Sequence, residues 1–244
     1  MKIKAIFAAV LFCAAAFKTS IAQNTGPISP AKSEIVAIDV LLEPDATMLK
    51  HARASNVRLL GVFPKGFAFD ATHTPHITML MAFVRKADLK KVYAAEEKVF
   101  AAVNMHEIKL EAFKYYYAPA GSAAGLAGIC AKPTEQLMKL QADIIAAAKP
   151  FMLNTGTIGA FTAGHDDPSL DAGLIEFVSA FEQKATGAKF NPHVSTGLAP
   201  REYLDKLLAE PFEPFTFSSA RAAVFQLGPY GAATKKLKEW KFKR

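Results

Sequence analysis

The sequence predicts an α+β fold built as two duplicated lobes of antiparallel β-sheet with outer helices. Three observations predict it. Strand-like and helix-like apolar patterns are mixed along the chain without the strict alternation that a parallel sheet requires. Two segments, Thr74-Pro75-His76-Ile77-Thr78-Met79-Leu80 and Asn191-Pro192-His193-Val194-Ser195-Thr196-Gly197, share the order Pro, His, β-branched apolar, hydroxyl, and each is followed by strand and helix patterns. Such self-similarity is what a duplication leaves behind. Finally, 244 residues that are 51% hydrophobic and 21% charged, with 14 Gly and 14 Pro, can bury a real core and do not resemble disordered, collagen-like or coiled-coil chains.

After a loose stretch from Asn24 to Ser33, the apolar run Ile35 to Leu42 reads as a strand. Pro44-Asp45 starts a helix carrying Met48, Leu49 and Ala52, and Arg58 to Phe63 reads as a second strand before the turn Pro64-Lys65-Gly66. His76 to Val84 is a strand. Asp88 is placed to cap a helix whose Leu89, Val92, Tyr93, Val99 and Val103 recur at helical spacing. Glu107 to Tyr117 alternates as a strand, Leu126 to Ala131 is another, and Gly121 to Gly128 reads as a linker or hairpin. Thr134 opens a helix to Ala148, and Phe151 to Asp167 reads as a long loop. Leu170 to Phe181 is helical, Asn191 to Leu198 a strand, and Arg201 to Leu208 a short helix. Phe215 to Ser218 and Arg221 to Leu227 are strands, Gly228 to Gly231 is turn material, and Leu237 to Phe242 closes as a strand or a frayed helix.

Residues 1–22 have signal-peptide architecture: Lys2 and Lys4, an apolar stretch from Ala5 to Phe17, then Ser20-Ile21-Ala22 with small residues at the third and first positions before a cut. The expectation is export, with Gln23 at the mature N-terminus and a periplasmic or secreted destination. Phe12 before Cys13 is too large for lipoprotein processing. Without the leader the balance is 26 Lys+Arg against 22 Asp+Glu, because Lys2, Lys4 and Lys18 go with it. That mild excess suits a protein that meets phosphates but is not the basic stripe of a nucleic-acid binder. Lys235, Lys236, Lys238, Lys241, Lys243 and Arg244 read as a solvated C-terminal face. Cys130 would be the only cysteine left, so no intrachain disulfide is expected, and its apolar neighbours make it a buried hydrophobe. Outside the leader no apolar run approaches the length of a membrane span.

On a strand, residues two apart share a face, so His76 and Thr78 project together while Ile77 and Met79 point into a core. His193 and Ser195 do the same, with Val194 buried. If the two strands face each other across a cleft, two hydroxyl donors grip a phosphate between two imidazoles. That arrangement suits general acid-base phosphoryl chemistry, because an unperturbed imidazole pKa near 6.5 allows one ring to be neutral and the other protonated. His51, His73, His106 and His165 lack this context.

At these two segments the chain resembles the two-histidine (2H) phosphoesterase superfamily, which includes 2'-5' RNA ligases and cyclic nucleotide phosphodiesterases. Its signature is a pair of His-apolar-Thr/Ser-apolar segments, one per lobe. His76-Ile77-Thr78-Met79 matches fully, and His193-Val194-Ser195-Thr196 departs at Thr196. The resemblance implies a single bilobal domain over residues 23–244, with the motif residues lining the cleft between lobes and residues 151–181 as an insertion. It implies a phosphodiesterase that needs neither metal nor cofactor and acts on 2',3'-cyclic phosphates or 2'-5' linkages of nucleotides or RNA ends. His76 and His193 are then the catalytic residues, in roles the sequence does not distinguish, and Thr78 and Ser195 bind the phosphate. A monomer is expected.

Two rival readings remain. A metal-dependent hydrolase would use Asp70, His73 and His76, with His165-Asp166-Asp167 completing a shell, although Pro75 breaks any helical His-x-x-His pair and no zinc spacing is met. A non-catalytic periplasmic nucleotide- or phosphate-binding protein would keep the fold, with Tyr115, Tyr116 and Tyr117 available either for packing or for stacking a base.

Overall fold

The strand Ile35–Pro44 (β1) is apolar on both faces except at Asp39 and Glu43, as expected of a strand with both faces covered, and it is buried over almost its whole length. The computed structural model describes residues 34–162 and 170–242. The leader with Gln23, and His165, Asp166 and Asp167, lie outside the described residues. Helix Ala46–Val62 (α1) follows, its N-terminus capped by Asp45, whose carboxylate accepts the amides of Thr47 and Met48. The expected strand from Arg58 to Phe63 is not formed, and α1 runs through it. Leu59 extends the buried series Met48, Ala52, Asn56 at helical spacing, and that periodicity overrides the strand preference of Val57 and Val62, both of which are exposed.

Strand Ile77–Arg85 (β2) and helix Leu89–Ala102 (α2) come next. Asp88 precedes α2 as expected but makes no capping hydrogen bond; its carboxylate pairs instead with Lys91 and Arg85. Leu110–Ala120 (β3) and Ala124–Ala131 (β4) form a hairpin, with Gly121 at positive φ in its turn. Thr134 caps Glu135–Ala148 (α3) through the Leu137 amide. Within the expected long loop, Met152–Leu153 (β5) adds a two-residue strand to β2. The helical stretch expected from Leu170 splits into Ala172–Ser179 (α4) and Phe181–Lys184 (α5). His193–Pro200 (β6), Arg201–Leu208 (α6), Phe215–Phe217 (β7), Ser219–Leu227 (β8) and Ala233–Lys241 (β9) complete the described chain.

The strands form two antiparallel sheets, ordered β5-β2-β1-β8-β9 and β6-β4-β3-β7. Each lobe of the duplication expected from the sequence is one of these sheets. Alternation on β1 sends Val36, Ile38, Val40 and Leu42 into one large core, which they share with Ile77 and Met79 of β2, Ile129 of β4, Val194 of β6 and the inner faces of α1, α2 and α3. Ala37, Asp39 and Leu41 point to the opposite face of the sheet. Strand β9 is an edge strand lined with Lys235, Lys236, Lys238 and Lys241, a composition that discourages pairing with another chain. Among the described residues no helix is long and apolar enough to cross a membrane.

Candidate active site

Both motif histidines follow a proline, and both are fixed in the same way. Pro75 and Pro192 hold their own φ near −65° and exclude a helix at the residue before them. The carbonyl two residues before each histidine then lies beside its ring. His76 Nδ1 is 2.6 Å from the Thr74 oxygen, and His193 Nδ1 is 2.7 Å from the Asn191 oxygen. A carbonyl can only accept, so in both rings Nδ1 carries hydrogen and Nε2 is the atom left to gain or lose a proton.

The strands that carry the motifs share an irregularity. Opposite β1, the register of β2 shifts so that Val40 pairs with Leu80 and Leu41 with Thr78, leaving Met79 as a bulge. Opposite β4, the register of β6 shifts so that Ala127 pairs with Gly197 and Gly128 with Ser195, leaving Thr196 as a bulge. In each lobe the extra residue directly follows the motif hydroxyl, and a bulge at that point re-aims the side chains before it. Each bulge carbonyl is held by a buried amide from a helix: Gln141 of α3 donates to the Met79 oxygen at 3.2 Å, and Asn56 of α1 to the Thr196 oxygen at 2.8 Å. Thr196, the departure from the apolar pattern, is buried with its hydroxyl accepting from Ser55 of α1 at 3.1 Å. Gly197 then takes φ of +151°, and a Cβ there would stand 3.0 Å from Leu59, so the bulge requires glycine.

Within this frame Ile77, Met79 and Val194 are core residues, while His76, Thr78, His193 and Ser195 are only partly buried on the opposite face. The two hydroxyls differ. Ser195 has no side-chain hydrogen bond among the described residues, whereas Thr78 Oγ1 donates to Asp39 Oδ2 at 2.9 Å. Asp39 also lies 3.4 Å from His76 Nε2.

The two rings differ electrostatically as well. Burial works against a charged His76, but the hydrogen bond and charge of Asp39, the Thr74 carbonyl and the charge of Glu43 outweigh it and hold His76 above the ordinary histidine value. At His193 burial prevails over the Asn191 carbonyl, and the charge of His76 adds to it, so His193 is pushed down. Asp39 is itself pushed up by burial, which His76 and Thr78 only partly offset. One ring is thus disposed to carry a proton and the other to lack one.

The remaining sequence candidates lie apart from this pair. His73 bonds to Asp70 and stacks on Phe67 at 4.6 Å, and His51 stacks on Phe215 at 3.7 Å. Asp70 and His73 therefore pair with each other, while His76 turns to Asp39. Among the described residues no three His, Cys, Asp or Glu side chains gather as a metal-binding group. Of the three tyrosines, Tyr115 packs edge-on against Phe212 and Tyr117 donates to Asp205, while the Tyr116 ring lies 5.0 Å from that of His193. Lys114, the three tyrosines, Leu208, Glu210 and Phe212 line a groove that borders His193 through the Tyr116 ring. The candidate-site residue that sequence reasoning missed is Asp39, and its signal was the acid in the middle of the apolar run Ile35 to Leu42.

No protein-family model matches the sequence, and no curated protein is similar to it. Solved structures do match. TT0787 of Thermus thermophilus is 14% identical, with 85% of this chain and 98% of that chain covered and a TM-score of 0.51. Lower-scoring matches are Escherichia coli LigT complexed with 3'-AMP, at 11% identity, 87% and 100% coverage and a TM-score of 0.42, and Kluyveromyces marxianus Usb1, at 10%, 85% and 100% and 0.40. With its two antiparallel sheets, outer helices and likeness to TT0787, the chain has the two-histidine phosphoesterase-like α+β fold.

Proposed function

We propose that the protein is a phosphodiesterase that hydrolyses 2',3'-cyclic phosphates or 2'-5' linkages of nucleotides or RNA ends by two-histidine general acid-base catalysis. One observation carries the reading: His76 and His193 are fixed through Nδ1 by the same backbone device, so that both present Nε2 for proton transfer, in environments that favour opposite charge states. A pair poised in this way can take a proton from water as it attacks phosphorus and give one to the departing ribose oxygen. Ser195 is the ready donor to a non-bridging phosphate oxygen, and Thr78 becomes a second when its hydroxyl turns from Asp39. The groove lined by Lys114 and Tyr116 suits a nucleoside next to His193, since a base has a face to stack and Lys114 offers charge to a phosphate. Export through the leader would place the enzyme in the periplasm or outside the cell, where ATP-independent hydrolysis of RNA fragments is a chemically consistent task.

The experiment is incubation of the purified full chain with the four 2',3'-cyclic nucleotides, a 2'-5' dinucleotide and a 3',5'-cyclic nucleotide, with products resolved by phosphorus NMR. Turnover of the first two classes supports the reading. No turnover of either between pH 5 and 9 would favour a binding protein.

A further inference from the structure

Asp39 sits at the middle of β1, the central strand of its sheet, and is fully buried. A carboxylate so placed is costly unless it is paired. Its Oδ1 has no partner among the described residues, and the two groups that reach Oδ2 are the motif residues of the first lobe, Thr78 at 2.9 Å and His76 at 3.4 Å. We propose that Asp39 is a positioning residue that keeps one proton on His76, so that His76 is the general acid and His193 the general base, an assignment that rests on the phosphodiesterase reading above.

Among the described residues the second lobe has no counterpart. His193 faces the Tyr116 ring from β3, the Asn191 carbonyl, Cys130 from β4 and the charge of His76. Cys130 is buried, and its thiol, pushed up to about 11, stays neutral despite the charge of Lys114. Among the described residues, nothing negative therefore stands beside His193. Around His76 the negative groups are Asp39 and Glu43, both from β1. Glu43 is already paired, 3.2 Å from Arg221 of β8 and 2.6 Å from Lys236 of β9, and both of these cations also pair with Glu239 of β9. Among the described residues that leaves Asp39, which burial pushes up but His76 and Thr78 draw back toward the charged form, as the acidic group in direct contact with the imidazole.

The length of the contact matters. A charge-assisted hydrogen bond that held the proton tightly would measure about 2.7 to 2.9 Å. At 3.4 Å Asp39 stabilises the imidazolium while leaving its Nε2–H able to leave. The cycle then balances. His193 Nε2 takes a proton from water as the new P–O bond forms, His76 Nε2 gives its proton to the ribose oxygen as the old P–O bond breaks, and solvent returns the proton from His193 to His76.

The test is a titration of both rings by NMR on the full chain labelled with 15N-histidine, the peaks assigned with His76→Ala and His193→Ala. In the wild type the His76 midpoint is expected above that of His193. Asp39→Asn, which keeps the size and a partner for Thr78, should lower the His76 midpoint by about one pH unit or more, leave His193 unchanged or higher, and move the alkaline limb of the rate profile for uridine 2',3'-cyclic phosphate down with it. With bis(4-nitrophenyl) phosphate, whose leaving phenolate needs no protonation, His76→Ala should retain far more activity than His193→Ala. A His76 midpoint below that of His193, or one that Asp39→Asn does not move in a folded protein, would overturn the proposal. If Asp39→Asn does not fold, the order of the wild-type midpoints and the Asp39→Ser variant decide. The titrations need no substrate, so a wild type that turns over no diester refutes the phosphodiesterase reading separately.

Discussion

Asn56 Nδ2 donates to the carbonyl of Thr196 at 2.8 Å and to that of Phe67 at 2.9 Å, so one buried amide on α1 joins the bulge after Ser195 to the loop that leads to His76. Its Oδ1 also accepts the Phe69 amide. Replacing it by leucine leaves buried carbonyls without a donor, at roughly 1 to 3 kcal/mol each. Asn56→Leu is expected to lower unfolding stability by about 3 kcal/mol in a denaturant titration, and to reduce turnover in the fraction that remains folded. Gln141→Leu should act in the same way on the Met79 side.

The rate profile follows from the two rings. A general base works only when neutral, so activity should rise with pH through the His193 midpoint, which burial holds below the ordinary value. A general acid works only when protonated, so activity should fall through the His76 midpoint, which Asp39 holds above it. The expected bell therefore has limbs further apart than two unperturbed histidines would give, as macroscopic properties of the pair. Initial rates from pH 5 to 9 in constant ionic strength check this. A monotonic profile would contradict it.

Activity should survive dialysis against a strong chelator, because the imidazoles and hydroxyls supply the proton transfer and charge stabilisation that a metal would otherwise provide. Loss in EDTA with recovery on adding zinc or manganese would instead favour the metal hydrolase. Assays before and after dialysis, with metal content measured, decide between them.

Stability carries its own pH signature at Glu96. Its carboxylate is fully buried on α2 with no partner among the described residues, and burial pushes it up to about 8 from an ordinary 4.5. The folded state therefore holds a proton that the unfolded chain gives up as pH rises through 4.5, and stability should fall by up to about 1.4 kcal/mol per pH unit until about pH 8. Glu96→Gln should remove that slope and raise the melting temperature at pH 8 more than at pH 5. Calorimetry at the two pH values measures it.

Much of the candidate site was legible because it is local. The i, i+2 spacing of His76 with Thr78 and of His193 with Ser195 fixes a shared face once each segment is a strand, and Pro before His excludes the helical alternative. The strand of β1 was legible from its apolar run. What was not legible is what depends on contacts distant in sequence. Arg58 to Phe63 has the composition of a strand, yet it extends α1 because Asn56 and Leu59 meet β6, about 140 residues away. Asp39 has no local partner either. It becomes part of the site only when β1 pairs with β2 and brings Thr78 and His76 to its carboxylate. The bulges at Met79 and Thr196 likewise arise from pairing with β1 and β4, which no pattern within the motif announces.

The account turns on His76 and His193 acting as one proton-transfer pair, and the most direct measurement is the turnover of uridine 2',3'-cyclic phosphate by the wild type, His76→Ala, His193→Ala and the double variant, each confirmed as folded. Each single change is expected to reduce kcat by on the order of 10² to 10⁴, and the double variant to be far less impaired than the product of the two, since the second loss falls on a mechanism already broken. A folded His193→Ala protein with wild-type turnover would contradict the account.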